Sequence, residues 1–474
     1  MIQLIKGNYI NGSWLLDNSL KTKEIINPAK LTEVVGSIQW ADKKVVKFVL
    51  ESANKAKKVW KKMSFENRII LANTLLDKIV KHKSEFAQII TLENGKTKKE
   101  SLSEVNASVD ESRFQIDYLK NHLIEKIDKT EVRYEPIGVV LTITPWNFPL
   151  ATIMRKMIPA IVCGNSVIVK PSEYAPLTSV FLFELIDEME FPIGVINLVN
   201  GIGSEIVTEL LQSDCIKAIS FTGSDFTGKK IAKLIGGDDI RFQAEMGGSN
   251  AVVVLNDANL KIAVPDIISN GFACGGQWCT GTSRVIAEKG IYNKLIENLK
   301  QSAGRINTGN GTKENVDMGP LSNERQFIDV SKKIIKAKKQ GAVLELGEEL
   351  KTEENGYFIS PTILSSINNN MDIVHEEVFG PVIMIIKSND LNDALKIVNN
   401  NPFGLSTSIY TENQEKASLF VDAVESGLVH VNLPTAYRKY SIPLMGWKNS
   451  GRGLPECGRF MMDLFTKPKA IYRK

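Results

Sequence analysis

VVLTITPWNFPLATIMRKMIPAIVCGNSVIVK, residues 139–170, holds three elements in a row. Val139-Val-Leu-Thr-Ile-Thr144 is a continuous apolar and β-branched run, so it reads as a strand buried on both faces. From Leu150 the apolar residues follow helical spacing until Gly164 stops them. Ser166-Val-Ile-Val-Lys170 is a second strand. Strand, helix and strand within about thirty residues form one βαβ unit.

The same rhythm continues downstream. Pro176 opens a helix, Val195–Val199 is a strand, Ser204–Leu211 a helix, Ile216–Phe221 a strand and Phe226–Ile235 a helix. A second series starts at Ala251-Val-Val-Val-Leu255. It runs through a strand at Arg284–Ala287, helices at Tyr292–Ala303 and Phe327–Lys339, a strand at Val382–Ile386 and a helix at Leu391–Asn399. Alternation of this kind predicts an α/β protein with parallel sheets covered on both faces. We read two doubly wound lobes joined near Met246-Gly247-Gly248. Upstream, Asn11-Gly12 between Tyr9-Ile10 and Trp14-Leu15 signals a tight hairpin. Helical spacing follows at Val45–Trp60 and again at Ile69–Ile90, ended by Asn94-Gly95. The lysine-dense stretch Lys332–Lys339 reads as a solvated helix face.

Composition excludes several classes. With 43% hydrophobic and 24% charged residues among 474, the chain has material for sizeable cores. Lys plus Arg is 58 and Asp plus Glu 54, and a net charge of +4 gives no electrostatic case for nucleic acid. The five cysteines are too few and too odd in number for a disulfide framework, which fits a reducing compartment. Four scattered histidines lack ligand spacing, so no metal site is expected. Met1 to Lys6 carries no address signal and no apolar run spans a membrane, so a cytoplasmic protein is expected.

Chemistry concentrates in a few places. Gly201-Ile-Gly203 lies between a strand and a helix; it is half of a dinucleotide fingerprint, and equally a plain turn. Phe221-Thr-Gly223-Ser224 repeats the arrangement and closes at Gly228, with free backbone N–H groups suited to a pyrophosphate. Cys279 stands in Gly275-Gly-Gln-Trp278-Cys-Thr-Gly281, a glycine-rich loop where a thiol can be activated. Cys163, Cys215, Cys274 and Cys457 have no such setting and read as structural. Glu245 ends a strand, where α/β sites form, though a surface role suits it too. Asn147, wedged among prolines and aromatics, suits an oxyanion donor or a turn-stabilising amide.

Taken together, eight segments resemble the aldehyde dehydrogenase superfamily. They are Thr144-Pro-Trp-Asn-Phe-Pro149, Lys170-Pro-Ser-Glu173, Phe221-Thr-Gly-Ser224, Glu245-Met-Gly-Gly248, Gly276-Gln-Trp-Cys279, Glu376-Glu-Val-Phe-Gly-Pro381, Asn401-Pro-Phe-Gly-Leu405 and Gly446-Trp-Lys-Asn-Ser-Gly451. The resemblance covers nearly the whole chain. It implies Cys279 as nucleophile, Glu245 as the base for a hydrolytic water, and Asn147 with the Cys279 N–H as oxyanion hole. It implies Lys170 and Glu173 at the adenosine ribose, and Trp146, Gly203, Gly223, Ser224 and Gly228 around the dinucleotide. Glu377 falls at the nicotinamide ribose, with Phe379 beside the ring. Glu245 implies a free acid product rather than transfer to coenzyme A. Glu173 favours NAD over NADP, because a carboxylate repels a 2′-phosphate.

The resemblance also implies domains: residues 1–118 and 137–246 for the cofactor, 247–446 for catalysis, and 119–136 with 447–474 as an oligomerisation arm and C-terminal segment. The arm, a β element at Leu119–Tyr134 pairing with Lys467–Tyr472, implies a homodimer or homotetramer. Departures from the family pattern are Met246, Ser249, the missing third glycine after Gly203, and Leu444-Met-Gly-Trp447; they bear on substrate rather than reaction. Arg155 matches an arginine of semialdehyde- and lactaldehyde-oxidising relatives, and equally suits a structural salt bridge. Their second arginine is Ala273 here, and Arg438 is the candidate replacement. Trp278 narrows the pocket toward small substrates. The expected reaction is oxidation of a small semialdehyde, such as succinate semialdehyde or a related oxo-acid aldehyde. Lactaldehyde or glyceraldehyde oxidation is the alternative, and a nucleotide-binding protein without turnover the rival from another class.

Overall fold

The computed structural model describes residues 6–237, 239–348 and 355–473. The reading of Met1 to Lys6 therefore falls almost entirely outside the described residues. The strand Val139–Ile143 is buried at every position, as its unbroken apolar run requires. It pairs in parallel with Ser166–Lys170 on one side and Ile216–Gly223 on the other. The full eight-stranded sheet adds Ile196–Leu198 and the hairpin Asn8–Ile10/Ser13–Leu15 beyond Ser166–Lys170. Arg241–Met246 and Gly451–Gly453 extend it on the other side. Strand order therefore reverses between Val139–Ile143 and Ile216–Gly223. At such a switch point the two following loops diverge and leave a crevice at the carboxyl ends. The loops in question are Thr144–Pro149 and the Gly223-Ser224 turn.

A second, seven-stranded sheet runs Val343–Leu346, Thr362–Ile367, Val382–Ser388, Thr282–Glu288, Asn250–Val254, Ser406–Tyr410, Leu428–Val431. All neighbours are parallel except the edge strand Val343–Leu346. Gly247-Gly248-Ser249 links the last parallel strand of the first sheet to the first of the second. The two doubly wound lobes expected from the alternation are present.

Two buried carboxylates hold helices of the first lobe in place. Glu104 accepts from the N–H groups of Leu150 (2.9 Å) and Ala151 (3.1 Å), at the start of the helix Ala151–Val162, and pairs with Lys96 at 2.6 Å. Glu93 does the same for Leu177 (2.6 Å) and Thr178 (2.9 Å) at the start of Leu177–Asp187. Neither helix has a capping side chain of its own, so these carboxylates satisfy orphan N–H groups. Burial pushes the Glu93 carboxyl up to about 7. Glu104 thereby fixes the helix that begins just after the Thr144–Pro149 loop, and Asn94 Nδ2 ties the loop itself by donating to the Trp146 carbonyl at 2.8 Å.

Four local expectations need correction. The helical stretch Ile69–Ile90 is two helices, Phe65–Lys81 and Lys83–Asn94, broken at His82; apolar spacing continues across the break because both helices bury the same side. Gly95, at φ 93°, ends the second. The arm does not begin at Leu119, which is buried in the helix Lys98–His122; the strands are Ile124–Ile127 and Thr130–Pro136, the latter paired with Thr466–Ile471. A hairpin Thr22–Ile26/Val34–Gln39 was not anticipated, since its exposed first strand carries lysine and glutamate. Nor is Lys332–Lys339 wholly solvated: Lys333 Nζ donates to the Glu377 carbonyl at 2.7 Å. Asn11 and Gly12 do take positive φ, 56° and 75°, in the first hairpin.

Candidate active site

The carboxyl ends of the first sheet face the amino ends of the second across a cleft of about 1440 Å³. That exceeds the usual range for one small molecule and leaves room for a dinucleotide beside a small substrate. Cys279, Glu245 and Asn147 all line it, as do Lys170, Glu173, Ser224 and Glu377.

The Cys279 loop is built from several fixed points. Cys274, Gly275 and Gly276 take left-handed φ of 54°, 65° and 68° in succession. A side chain at Gly276 would overlap the Gly380 backbone, so only glycine fits there. Glu100 accepts from the Cys274 N–H at 2.6 Å while also closing the capping box of the helix Lys98–His122. Gln277 is held at both ends of its amide, by the Cys274 carbonyl (2.9 Å) and the Ser322 N–H (2.9 Å). Asn250 Nδ2 then donates to the carbonyls of Cys279 (2.7 Å) and Gly281 (2.8 Å), and its Oδ1 accepts from the Ser406 N–H. One asparagine thus ties the thiol's own residue to two strands of the second sheet.

Asn147 Nδ2 donates to the Gln277 carbonyl at 2.9 Å. An amide has two N–H donors, so the other remains available to the cleft. Among the described residues nothing accepts from the Cys279 backbone N–H either. Those are the two donors that the sequence resemblance assigns to an oxyanion hole.

Glu245 is 4% exposed. Its Oε2 meets the Gly446 N–H at 3.4 Å, while its Oε1 has no partner among the described residues. Burial, and next the charge of Glu456, hold its carboxyl well above the usual range. A base with a raised pKa matches proton transfer near neutral pH. Burial also pushes the Cys279 thiol up to about 11, although Arg155 and Arg438 act in the opposite direction. In this environment Cys279 is held as a thiol at neutral pH. Its alkylation by iodoacetamide should speed up roughly tenfold per pH unit between about pH 7 and 9, because only the thiolate reacts. A plateau reached below about pH 8 would contradict this environment.

The residues expected around a dinucleotide also converge. Lys170, 2% exposed, meets Glu173 at 3.3 Å and lies against Gly203, which opens the helix Gly203–Leu211 without a capping side chain. Ser224 caps the helix Asp225–Leu234 by accepting from Thr227 N–H. A side chain at Gly228 would overlap Met246, and one at Gly223 would overlap Phe221. Trp146 and Phe379 stand edge to face at 5.5 Å. Phe379 takes φ 53°, held by Gln326, whose Nε2 donates to its carbonyl at 2.9 Å. Glu377 accepts from the Gly248 N–H at 3.2 Å, and burial raises its carboxyl to about 7. A Cβ at Gly247 would overlap that carboxylate, so a larger residue there would displace Glu377.

Comparison with known proteins gives the family. The profile described as "Aldehyde dehydrogenase family" matches residues 14–471. The chain belongs to the aldehyde dehydrogenase family. It is 36% identical to the alpha-ketoglutaric semialdehyde dehydrogenase of Bacillus subtilis, over 98% of each chain. It is 33% identical to malonate-semialdehyde dehydrogenase 2 of Geobacillus kaustophilus, over 99% of this chain and 98% of the other. Among solved structures, a betaine aldehyde dehydrogenase from Staphylococcus aureus in complex with NAD+ superposes with a TM-score of 0.94 at 30% identity. That match covers 99% of this chain and 97% of the other. No helix among the described residues is long and apolar enough to cross a membrane.

Beyond the aldehyde dehydrogenase motifs lies a charged chamber that sequence reasoning saw only in part. Arg155 grips Glu111 with two bonds, Nε to Oε1 at 2.9 Å and Nη2 to Oε2 at 3.0 Å, and its Nη1 lies 3.6 Å from Glu456. The salt-bridge alternative for Arg155 is thus realised, while the residue still lines the cleft. Arg438 Nη2 reaches the same Glu111 oxygen at 3.3 Å and the Cys457 sulfur at 3.2 Å. Cys457 therefore has a polar setting after all: its thiol meets Glu111 at 3.2 Å. Burial alone would push the Glu111 carboxyl up, but Arg155 and Arg438 hold it at about 2. Lys156 pairs with Glu456 and donates to Ser220 at 2.9 Å. Trp278 packs on Phe148 at 5.4 Å, and Lys96 sits over the Phe148 ring. Glu111, Lys156 and Glu456 escaped the sequence reading because each is an ordinary charged residue in a helix or loop, recognisable only by its burial. Glu456 and Cys457 also fall in residues 447–474, expected to form the oligomerisation arm and C-terminal segment rather than the catalytic domain.

Proposed function

We propose that the protein oxidises a small semialdehyde to its carboxylic acid, with hydride passing to a nicotinamide cofactor. The observation that carries this is the convergence of Cys279, Glu245 and Asn147 on one cleft with the guanidinium groups of Arg155 and Arg438. The semialdehyde dehydrogenases among the relatives support it.

The residues present fit the cofactor. Lys170 and Glu173 would hold the adenosine ribose, and the uncapped N–H groups at Gly203 would face the phosphates. Glu377, given room by Gly247, would hold the nicotinamide ribose. The bound nicotinamide accepts a hydride. Glu173 favours NAD over NADP, since a 2′-phosphate would meet its carboxylate.

On the protein side, Cys279 loses its proton to solvent in the cleft and its sulfur adds to the aldehyde carbon. The carbonyl oxygen gains charge between the Asn147 amide and the Cys279 N–H. The C–H bond then breaks with its electron pair, leaving a thioester on Cys279. Glu245 takes a proton from water, the oxygen adds to the thioester, and the Cys279 thiolate leaves with release of the acid. Replacing Asn147 by alanine removes one oxyanion donor, so kcat should fall by about 10²–10³ with a smaller change in KM. Equal losses in binding and turnover would argue that Asn147 is structural only.

Glu245 favours a free acid over transfer to coenzyme A. One observation favours a second reading: Glu111 already neutralises Arg155, which suits an uncharged hydroxyaldehyde such as lactaldehyde or glyceraldehyde. Initial rates with a panel of semialdehydes, hydroxyaldehydes and simple alkanals, each with NAD and NADP, separate the two and fix the cofactor. The semialdehyde reading expects kcat/KM highest for a carboxylate-bearing aldehyde. Higher values for lactaldehyde or glyceraldehyde would replace it. For assembly, the three-stranded sheet of Ile124–Ile127, Thr130–Pro136 and Thr466–Ile471, with Ile124 and Ile127 exposed on its edge strand, is the proposed contact in a homodimer or homotetramer.

A further inference from the structure

The two arginines of the chamber are not equivalent. Arg155 is spent internally: its Nε and Nη2 bind both oxygens of Glu111, and Nη1 faces Glu456. Its backbone is fixed as well, because Gln115 Nε2 donates to the Arg155 carbonyl at 2.9 Å. Arg438 is different. Only its Nη2 has partners among the described residues, Glu111 and the Cys457 sulfur, and Arg438 lines the cleft with Cys279. Its remaining N–H groups are not among the buried polar atoms left without a partner, so they are accessible, and the residue lines the cleft.

Charge counting gives the same division. Arg155, Lys156 and Arg438 share two carboxylates, Glu111 and Glu456, in one linked cluster of three cations and two anions. Arg438 is the cation without a carboxylate of its own: the one it touches is already shared with Arg155, and Glu245, which also feels its charge, makes no ion pair with it among the described residues. A guanidinium with free N–H groups, facing a substrate cleft and lacking a counter-ion of its own, is a receptor for one carboxylate.

We infer that Arg438, not Arg155, takes the distal carboxylate of the substrate, and that Arg155 is neutralised internally by Glu111. The inference rests on the semialdehyde reading and names the residue that enforces it. It also states the ligand class: an aldehyde with a single distal anion, matching the single surplus charge.

The test reads the ratio of kcat/KM for succinate semialdehyde to that for butanal. A ratio within one protein cancels changes in active fraction and in Cys279 reactivity. Wild type should show a ratio of at least about 10. Arg438→Gln should lower the ratio about 100-fold, the scale expected when one partner of a desolvated charge pair is truncated. The double variant Glu111→Gln/Arg155→Gln removes one charge of each sign and should keep the ratio within about threefold of wild type. A collapse of the ratio in the double variant with retention in Arg438→Gln would overturn the inference in favour of Arg155. A wild-type ratio near one would instead overturn the semialdehyde reading, and the inference with it. Succinate as a competitive inhibitor of butanal oxidation gives a second readout that does not depend on the double variant folding. Its inhibition constant should rise about 30-fold in Arg438→Gln, and an unchanged constant would overturn the assignment.

Discussion

Cys279→Ala should lower kcat/KM for aldehyde oxidation by about 10⁴-fold or more, while the protein stays folded and still binds its cofactor. The size follows from the role: removing a covalent nucleophile eliminates the pathway rather than weakening one contact. Stability should survive because the loop does not depend on the sulfur. Asn250 holds the backbone carbonyl of Cys279, Glu100 holds Cys274, and Gln277 is bonded at both ends. Steady-state formation of reduced nicotinamide and a thermal melt, measured on the same sample, check both parts. Substantial residual turnover, above about one per cent of wild type, would show that some other group attacks the aldehyde.

Glu245→Gln should separate the two halves of the reaction. The glutamine keeps the size and the contact with the Gly446 N–H but cannot accept a proton from water. Steady-state turnover should fall about 10²–10⁴-fold, the usual worth of a general base. A burst of reduced nicotinamide, close to one per active site, should precede the slow phase, because attack and hydride loss come before deacylation. The raised pKa of Glu245 adds a sign. Its carboxylate form grows as pH rises through its elevated pKa, so wild-type deacylation should speed up with pH, and the dependence should vanish in Glu245→Gln. Stopped-flow traces settle the point. Loss of the burst together with turnover would mean that Glu245 acts on the attack, not the release.

How much of this was legible beforehand differs by physical cause. The lobes were legible because parallel strands buried on both faces write themselves as unbroken apolar runs, as at Val139–Ile143 and Asn250–Val254. Glu245 was legible as a strand-end carboxylate, and Cys279 by its glycine neighbours, two of which take left-handed backbone. What stayed hidden depends on contacts between distant segments. Nothing near Glu111 in sequence says that Arg155 and Arg438, 44 and 327 positions away, converge on it. Asn250 looks like any residue at a strand start, yet it anchors the Cys279 loop. Gly247 was legible only as part of the junction between the lobes; the Glu377 carboxylate packed against it gives a further reason for glycine. The break at His82 was invisible because hydrophobic spacing records which face is buried, not whether the backbone is continuous.

The most direct test is to catch the intermediate. Glu245→Gln protein, mixed with succinate semialdehyde and NAD and quenched in acid within the burst, should gain the mass of one succinyl group. Digestion should place that mass on the peptide containing Cys279. A burst of reduced cofactor with no added mass, or an acyl group on any other residue, would contradict covalent catalysis by this cysteine.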